Sequence, residues 1–304
     1  MTRDARLRRL PVVAAALAAV LLAGCTSTNT PAPVAESTAP SASPSAEAAP
    51  APVAEAVTPA AGSVSGGDTI TITGAGLTDV TAVSIGGIAA TDVVAVSDAE
   101  VTAKVPRAAE YQPSAATVEV WAGEELVSSA APLGYEWQVL TPVDRQLSYA
   151  FKHWARENYN LAEFGTMNPI GGDCVNFVSQ TLLQRGWEMT DDWYNRNAGA
   201  DWTGAWIHVP TFDNWLRANQ ERLGVTELSL EQRDQVKVGD IVMFDWNLND
   251  SLDHTQIVSD VIHNADGTVS IKMIGHNLDT NWRDLDETIT VDHPGGYAFF
   301  WSVP

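Results

Sequence analysis

Two cysteines and six histidines are the most reactive side chains in this 304-residue chain, and sequence context singles out Cys174 among them. It stands in Gly171-Gly172-Asp173-Cys174-Val175-Asn176-Phe177-Val178-Ser179-Gln180, which runs on through Leu182 and Leu183 to Arg185-Gly186. Two glycines give a tight entry, Asp173 is suited to N-cap the first turn, and Arg185-Gly186 supplies a cationic last turn and a C′ glycine. The stretch therefore predicts a helix with Cys174 at its first position. Unpaired amides and the helix dipole there favour a thiolate and can lower a thiol pKa from about 8.5 to about 3.5–7.5. The expectation is a cysteine that is partly ionised well below pH 8; the competing role is a small, inert core residue.

A cysteine nucleophile needs a base and a group to orient it. Val238-Gly239-Asp240 leads into Ile241-Val242-Met243-Phe244-Asp245-Trp246, and a polar loop follows to Asp253. His254 then opens a strand through Ile262, and Asn264-Ala265-Asp266-Gly267 turns it back through Val269–Ile274 to Gly275-His276-Asn277. Asp-Gly between alternating strands is a strong hairpin signal. Its register sets His254 opposite residues 276–279, and cross-strand neighbours can touch. Strict alternation favours Asn277 as the partner of His254.

Other chemistries find little support. Asp245, Asn247, Asn249, Asp250 and Asp253 are spaced somewhat like a calcium loop but lack its turn glycine and closing glutamate. No Cys/His cluster suits zinc, and there is neither a phosphate-cradling glycine loop nor a Gly-x-Ser-x-Gly elbow, so no metal or cofactor is expected. His263 and His293 read as solvated turn residues. Thr141-Pro142-Val143-Asp144 predicts a capped helix whose Leu147, Phe151 and Trp154 face the core, with packing roles for Tyr149, His153 and Tyr159. Trp193, Tyr194, Trp202, Trp206 and His208 form an aromatic, irregular segment suited to core or to a groove wall.

Upstream, Arg3, Arg6, Arg8 and Arg9 precede an apolar run from Val12 to Ala23, too short to span a membrane and typical of an export signal. Its end, Leu22-Ala23-Gly24-Cys25, resembles the lipobox of bacterial lipoproteins, which implies cleavage after residue 24 and lipid on Cys25. Lipidation would leave Cys174 as the sole free thiol of an exported protein. The chain carries −21; the leader holds four arginines and one aspartate, so the remainder carries −24. Such a surface repels phosphate backbones, which argues against nucleic acid as a partner. Residues 25–56, almost wholly Thr, Ser, Ala and Pro, cannot bury enough surface to order and read as a tether.

From residue 57 to 137 short alternating runs such as Thr69-Ile70-Thr71-Ile72-Thr73 and Thr117-Val118-Glu119-Val120-Trp121 are punctuated by Gly66-Gly67-Asp68, Gly74-Ala75-Gly76 and Gly86-Gly87. That pattern predicts a small β-sandwich. Val57-Thr58-Pro59, Ser65-Gly66-Gly67-Asp68 and Ile70–Leu77 resemble the opening of IPT/TIG immunoglobulin-like domains, which implies a spacer or binding module.

The string around Cys174, with Trp202-Thr203, Gly239-Asp240-Ile241-Val242, His254 with Ile257-Val258, and His276, resembles the bacterial "putative amidase domain" family, itself similar to papain-like cell-wall hydrolases of the NlpC type. The resemblance covers residues 141–304. It departs where the family often has Cys or Thr at positions held here by Val175 and Thr181. It implies Cys174 as nucleophile, His254 as base and His276 as its orienter, with Asn277 the alternative. The whole is a multidomain chain: an all-β immunoglobulin-like sandwich, then an α+β papain-like domain. It reads as an exported, lipid-anchored amidohydrolase acting on peptidoglycan or extracellular peptides through a Cys174 thioester. The alternatives are a non-catalytic wall-binding or adhesion protein and a thioester acyl transferase.

Overall fold

The computed structural model describes residues 50–304; the export signal, Cys25 and most of the tether lie outside the described residues. Within them two sheets face each other at the N-terminal end. One orders Ser128–Ser129, Val53–Thr58, Thr69–Ala75, Glu100–Lys104 and Thr91–Ser97 side by side; the other is built on Gly134–Gln138, Ser114–Ala122 and Ala82–Ile85. Alternation sends Ile70, Ile72, Val101, Val118 and Val120 inward, and all are buried. Residues 53–56, expected to end the tether, instead begin the first strand. Ala54 is buried there, and the strand gains ladder partners on both sides.

A mixed α/β region follows. A six-stranded antiparallel sheet runs in the order Thr226–Leu228, Tyr297–Ser302, Ile241–Asp245, His254–His263, Val269–Gly275, Thr280–Asp284. Its faces build separate cores. Ile241, Met243, Ile257, Ile274 and Trp301 join a core that also takes in the Cys174 helix (Cys174–Arg185), whereas Val242, Phe244, Val258, Met273 and Phe300 form a second one. The Cys174 helix is buried on nearly every side. Of the tryptophans flagged for a groove, Trp193 and Trp206 are fully buried core residues.

The break in composition at residues 137–142 is not a break in packing. The helix Pro142–His153 starts in a capping box: Thr141 Oγ1 accepts from the Asp144 amide at 3.0 Å and Asp144 Oδ2 accepts from the Thr141 amide at 2.9 Å. The same carboxylate reaches into the sandwich, where its Oδ1 accepts from Ser63 Oγ at 2.7 Å and Ser65 Oγ at 2.6 Å. Burial pushes the Asp144 pKa up, but bonds from Ser65, Ser63, Thr141 and Leu140 outweigh it and hold the group below its ordinary value. Nearby, buried Tyr111 donates to the Ser259 carbonyl at 2.7 Å and packs on Phe151, and Arg107 pairs with Asp260 and lies 4.2 Å over Trp282. Residues 49–304 accordingly form one compact unit.

Asp144→Ala strands several buried donors at once and should cost about 3 kcal/mol at neutral pH. Because the folded pKa is depressed, that stability is present above the unfolded value of 3.8 and is lost as pH falls through the folded one. Urea melts should separate variant from wild type at pH 7 and converge in acid. A fragment from Thr141 to Pro304 should melt without cooperativity, and a sharp melt at the full chain's temperature would refute the shared core.

Candidate active site

Gly171 and Gly172, with φ of 133° and 140°, take backbone conformations that side chains disfavour and fold the entry loop tightly against the Cys174 helix. Asp173 stands at the N-cap position, but its carboxylate caps no helix amide. It faces the loop instead: Oδ1 accepts from the Met167 amide at 2.5 Å, Asn176 Nδ2 at 3.0 Å and Thr166 Oγ1 at 3.2 Å, and Oδ2 lies 2.7 Å from His276 Nδ1. A fully buried carboxylate demands donors on both oxygens, and this loop is where they are.

His276 is spent on that contact. Its Nε2 lies 2.8 Å from the His153 carbonyl, and its ring is sandwiched between Tyr159 at 3.5 Å and Phe177 at 4.1 Å. Both ring nitrogens are thus engaged, one by a carboxylate and one by a carbonyl. Asn277 is also committed: its Oδ1 accepts from the Asp173 amide and its Nδ2 donates to Asn168 at 2.6 Å. Neither residue hydrogen-bonds His254, so the orienting role expected of one or the other is not occupied by either. The ladder explains why. Pairing with the His254 strand stops at Ile274, Gly275 pairs forward with Thr280, and Asn277 and Leu278 take left-handed conformations with φ of 58° and 87°. The returning strand has become a loop before it reaches His254, so strict alternation no longer applies.

Cys174 opens the helix as expected and lines a pocket of about 530 Å³ with Gly172, Trp202, His208, Thr211 and Asp253. Trp202, 38% exposed, is thus a wall residue, while Trp193 and Trp206 of the same segment are core. His208, read from the sequence as part of a segment suited to core or to a groove wall, is the histidine that shares this pocket, and its Nδ1 lies 2.8 Å from Thr211 Oγ1.

The backbone amides of Thr255, Val175 and Cys174 pull the Cys174 pKa down. They and the helix dipole do not prevail. Burial pushes the Cys174 thiol up to about 11, against the downward pull of those amides and with Asp173 adding to the rise. The expected low-pKa cysteine is therefore a neutral thiol at rest, because only 6% of it meets solvent.

A family model described as "Putative amidase domain" matches residues 143–299, more than half of the chain. The chain belongs to that family. An IPT/TIG domain model matches residues 52–133 ahead of it. Comparison with curated proteins gives no match.

In this amidase-family domain His254 follows the polar loop as expected, but no hydrogen bond joins it to Cys174. Its ring stacks on Trp246 at 5.7 Å and lies tilted against Phe244 at 6.1 Å, at the margin of the second core, and its Nε2 is buried without a partner among the described residues. Burial, with Arg283 and His293 adding to it, pulls its pKa down to about 3. His293 is not simply solvated but stacks on Trp246 at 3.9 Å. In the loop before His254, Asp245 accepts from the amides of Asn247, Asn249 and Asp250, so the calcium-like spacing serves to fold the loop.

A thiol with a pKa near 11 is about one part in ten thousand thiolate at pH 7. Iodoacetamide should label native Cys174 on the order of 100-fold more slowly than a model thiol at that pH, with the rate still rising above pH 9. Rapid labelling at pH 6–7 would contradict the neutral resting state. His276→Ala leaves the buried Asp173 Oδ2 without its Nδ1 partner and should cost about 1–3 kcal/mol in chemical melts.

Proposed function

We propose that the protein is a cysteine amidohydrolase in which Cys174 Sγ attacks the carbonyl carbon of an amide bound in the adjoining pocket. What supports this is that Cys174 opens its helix and lines that pocket in a domain of the amidase family. The unpaired amides of a helix start are donors suited to negative charge that develops as the thiol reacts.

His254 is the base. In the resting structure its ring lies on the second-core face of the sheet, across from Phe244, and the start of the strand must rearrange to bring it to Cys174 when substrate binds. Its buried Nε2 has no partner where it now lies, a condition that costs about 1–3 kcal/mol and favours that rearrangement. With both groups neutral at rest, the thiol proton moves to His254 during attack and then to the leaving nitrogen. The thioester on Cys174 releases the acid when water attacks it. His276 and Asn277 act at a distance, by holding Asp173 and the helix start. Membership of the amidase family supports the reaction class; a papain-like arrangement is the domain's proposed fold. Peptidoglycan or extracellular peptides are the proposed substrates, since the leader and lipobox resemblance place the protein outside the cell on a lipid anchor at Cys25.

Incubating the protein with purified peptidoglycan fragments and reading the products by mass should reveal water added across one amide. Cys174→Ala and His254→Ala should abolish that product while leaving the fold intact. Identical product profiles from wild type and Cys174→Ala would refute the proposal. Cys25→Ser should shift the protein out of the membrane fraction, and unchanged partitioning would refute the anchor.

A further inference from the structure

We infer that the pocket beside Cys174 selects substrates that carry a primary ammonium group near the amide to be cut, with Asp253 as its specificity-determining residue. This rests on Cys174 acting on substrate bound in that pocket.

The charges on the wall point this way. Among the described residues that line the cavity, Asp253 is the one carboxylate, and none is lysine or arginine. His208 and Cys174 are the other titratable lining groups, and His208 Nδ1 is already engaged by Thr211. Asp253 is held at two points: its amide donates to the Phe244 carbonyl at 2.8 Å, and its Oδ2 accepts from the Trp246 amide at 2.8 Å. Its Oδ1 accepts from no group among the described residues, and the side chain is exposed. A carboxylate fixed in this way keeps one oxygen for a ligand and loses little freedom when a cation binds.

Trp202 lines the same cavity with its indole partly open to solvent. The face of an indole attracts a cation. Ile170 and Leu252 add apolar surface for the carbon stem that carries such a charge. A substrate that brings a carboxylate would instead meet Asp253 with no cation on the wall to offset the repulsion. The wider field has the same sign. Residues 245–253 hold Asp245, Asp250 and Asp253 without a lysine or arginine, and the whole chain carries −21. Such a field draws cationic substrates to the pocket and repels anionic ones.

The test uses purified peptidoglycan fragments with their primary amines left free, acetylated or succinylated. Hydrolysis by the full chain is read by mass, and binding to the full-length Cys174→Ala variant by calorimetry. Acetylation should lower kcat/KM about 10-fold, mainly through KM, and succinylation should lower it further. Kd should follow the same order, and added salt should narrow the gap. Asp253→Asn keeps an oxygen for the Trp246 amide but loses the charge. It should bring the free and acetylated forms to within about 2-fold of each other. Equal kcat/KM and Kd for all three forms, tighter binding of the succinylated form, or an unchanged preference in Asp253→Asn would overturn the inference. Preferential binding of the free-amine form without turnover by wild type would support the pocket's selectivity and defeat the amidase proposal instead.

Discussion

A carboxylate with no access to water must collect its donors from the protein, and in this domain the requirement falls on Asp173. Its oxygens draw in the Met167 amide, Thr166, Asn176 and His276, and its own amide is held by Asn277. These partners come from three parts of the domain: the entry loop, the helix and the loop beyond the third-to-last strand. Bonds to a charged group contribute roughly 1.5–3 kcal/mol apiece when both partners are present, and removing one leaves the rest of the cost. The position of Cys174, one residue on, is a consequence of that closure.

The same view explains the motif. In Gly-Gly-Asp-Cys-Val-Asn-Phe-Val-Ser-Gln, Asn176 accepts from Trp206 Nε1 at 2.8 Å, Ser179 accepts from Trp193 Nε1 at 3.1 Å and Gln180 accepts from Tyr149 at 2.7 Å. Its polar letters are the internal pairings of a helix buried all round, and the cysteine is the one reactive group left facing a pocket. Burial has an electrostatic consequence as well. It holds the thiol and the imidazole neutral, so in the proposed reaction charge separation must wait for a bound substrate.

Much of this was legible in the residues. The alternating runs announced the sandwich, the Thr141–Asp144 capping box and the Asn264–Gly267 turn announced the elements that frame the site, and both glycines before Asp173 marked its tight entry. What was not legible depends on long-range contacts. Nothing local says that Asp144 will be completed by Ser63 and Ser65 across a domain boundary, or that Asn277 will leave the strand in a left-handed turn and spend its amide on Asp173. Helix position alone predicts a lowered cysteine pKa; only the depth of burial reverses the sign.

The central claim is that Cys174 forms a thioester in the pocket whose entry Asp173 holds. Acid-quenching the protein during turnover of peptidoglycan fragments, and mapping adducts by peptide mass, tests it most directly. The account predicts one acyl adduct, confined to the peptide that carries Cys174 and removed by hydroxylamine. Turnover without any adduct on that peptide, or turnover that persists in Cys174→Ala, would contradict it.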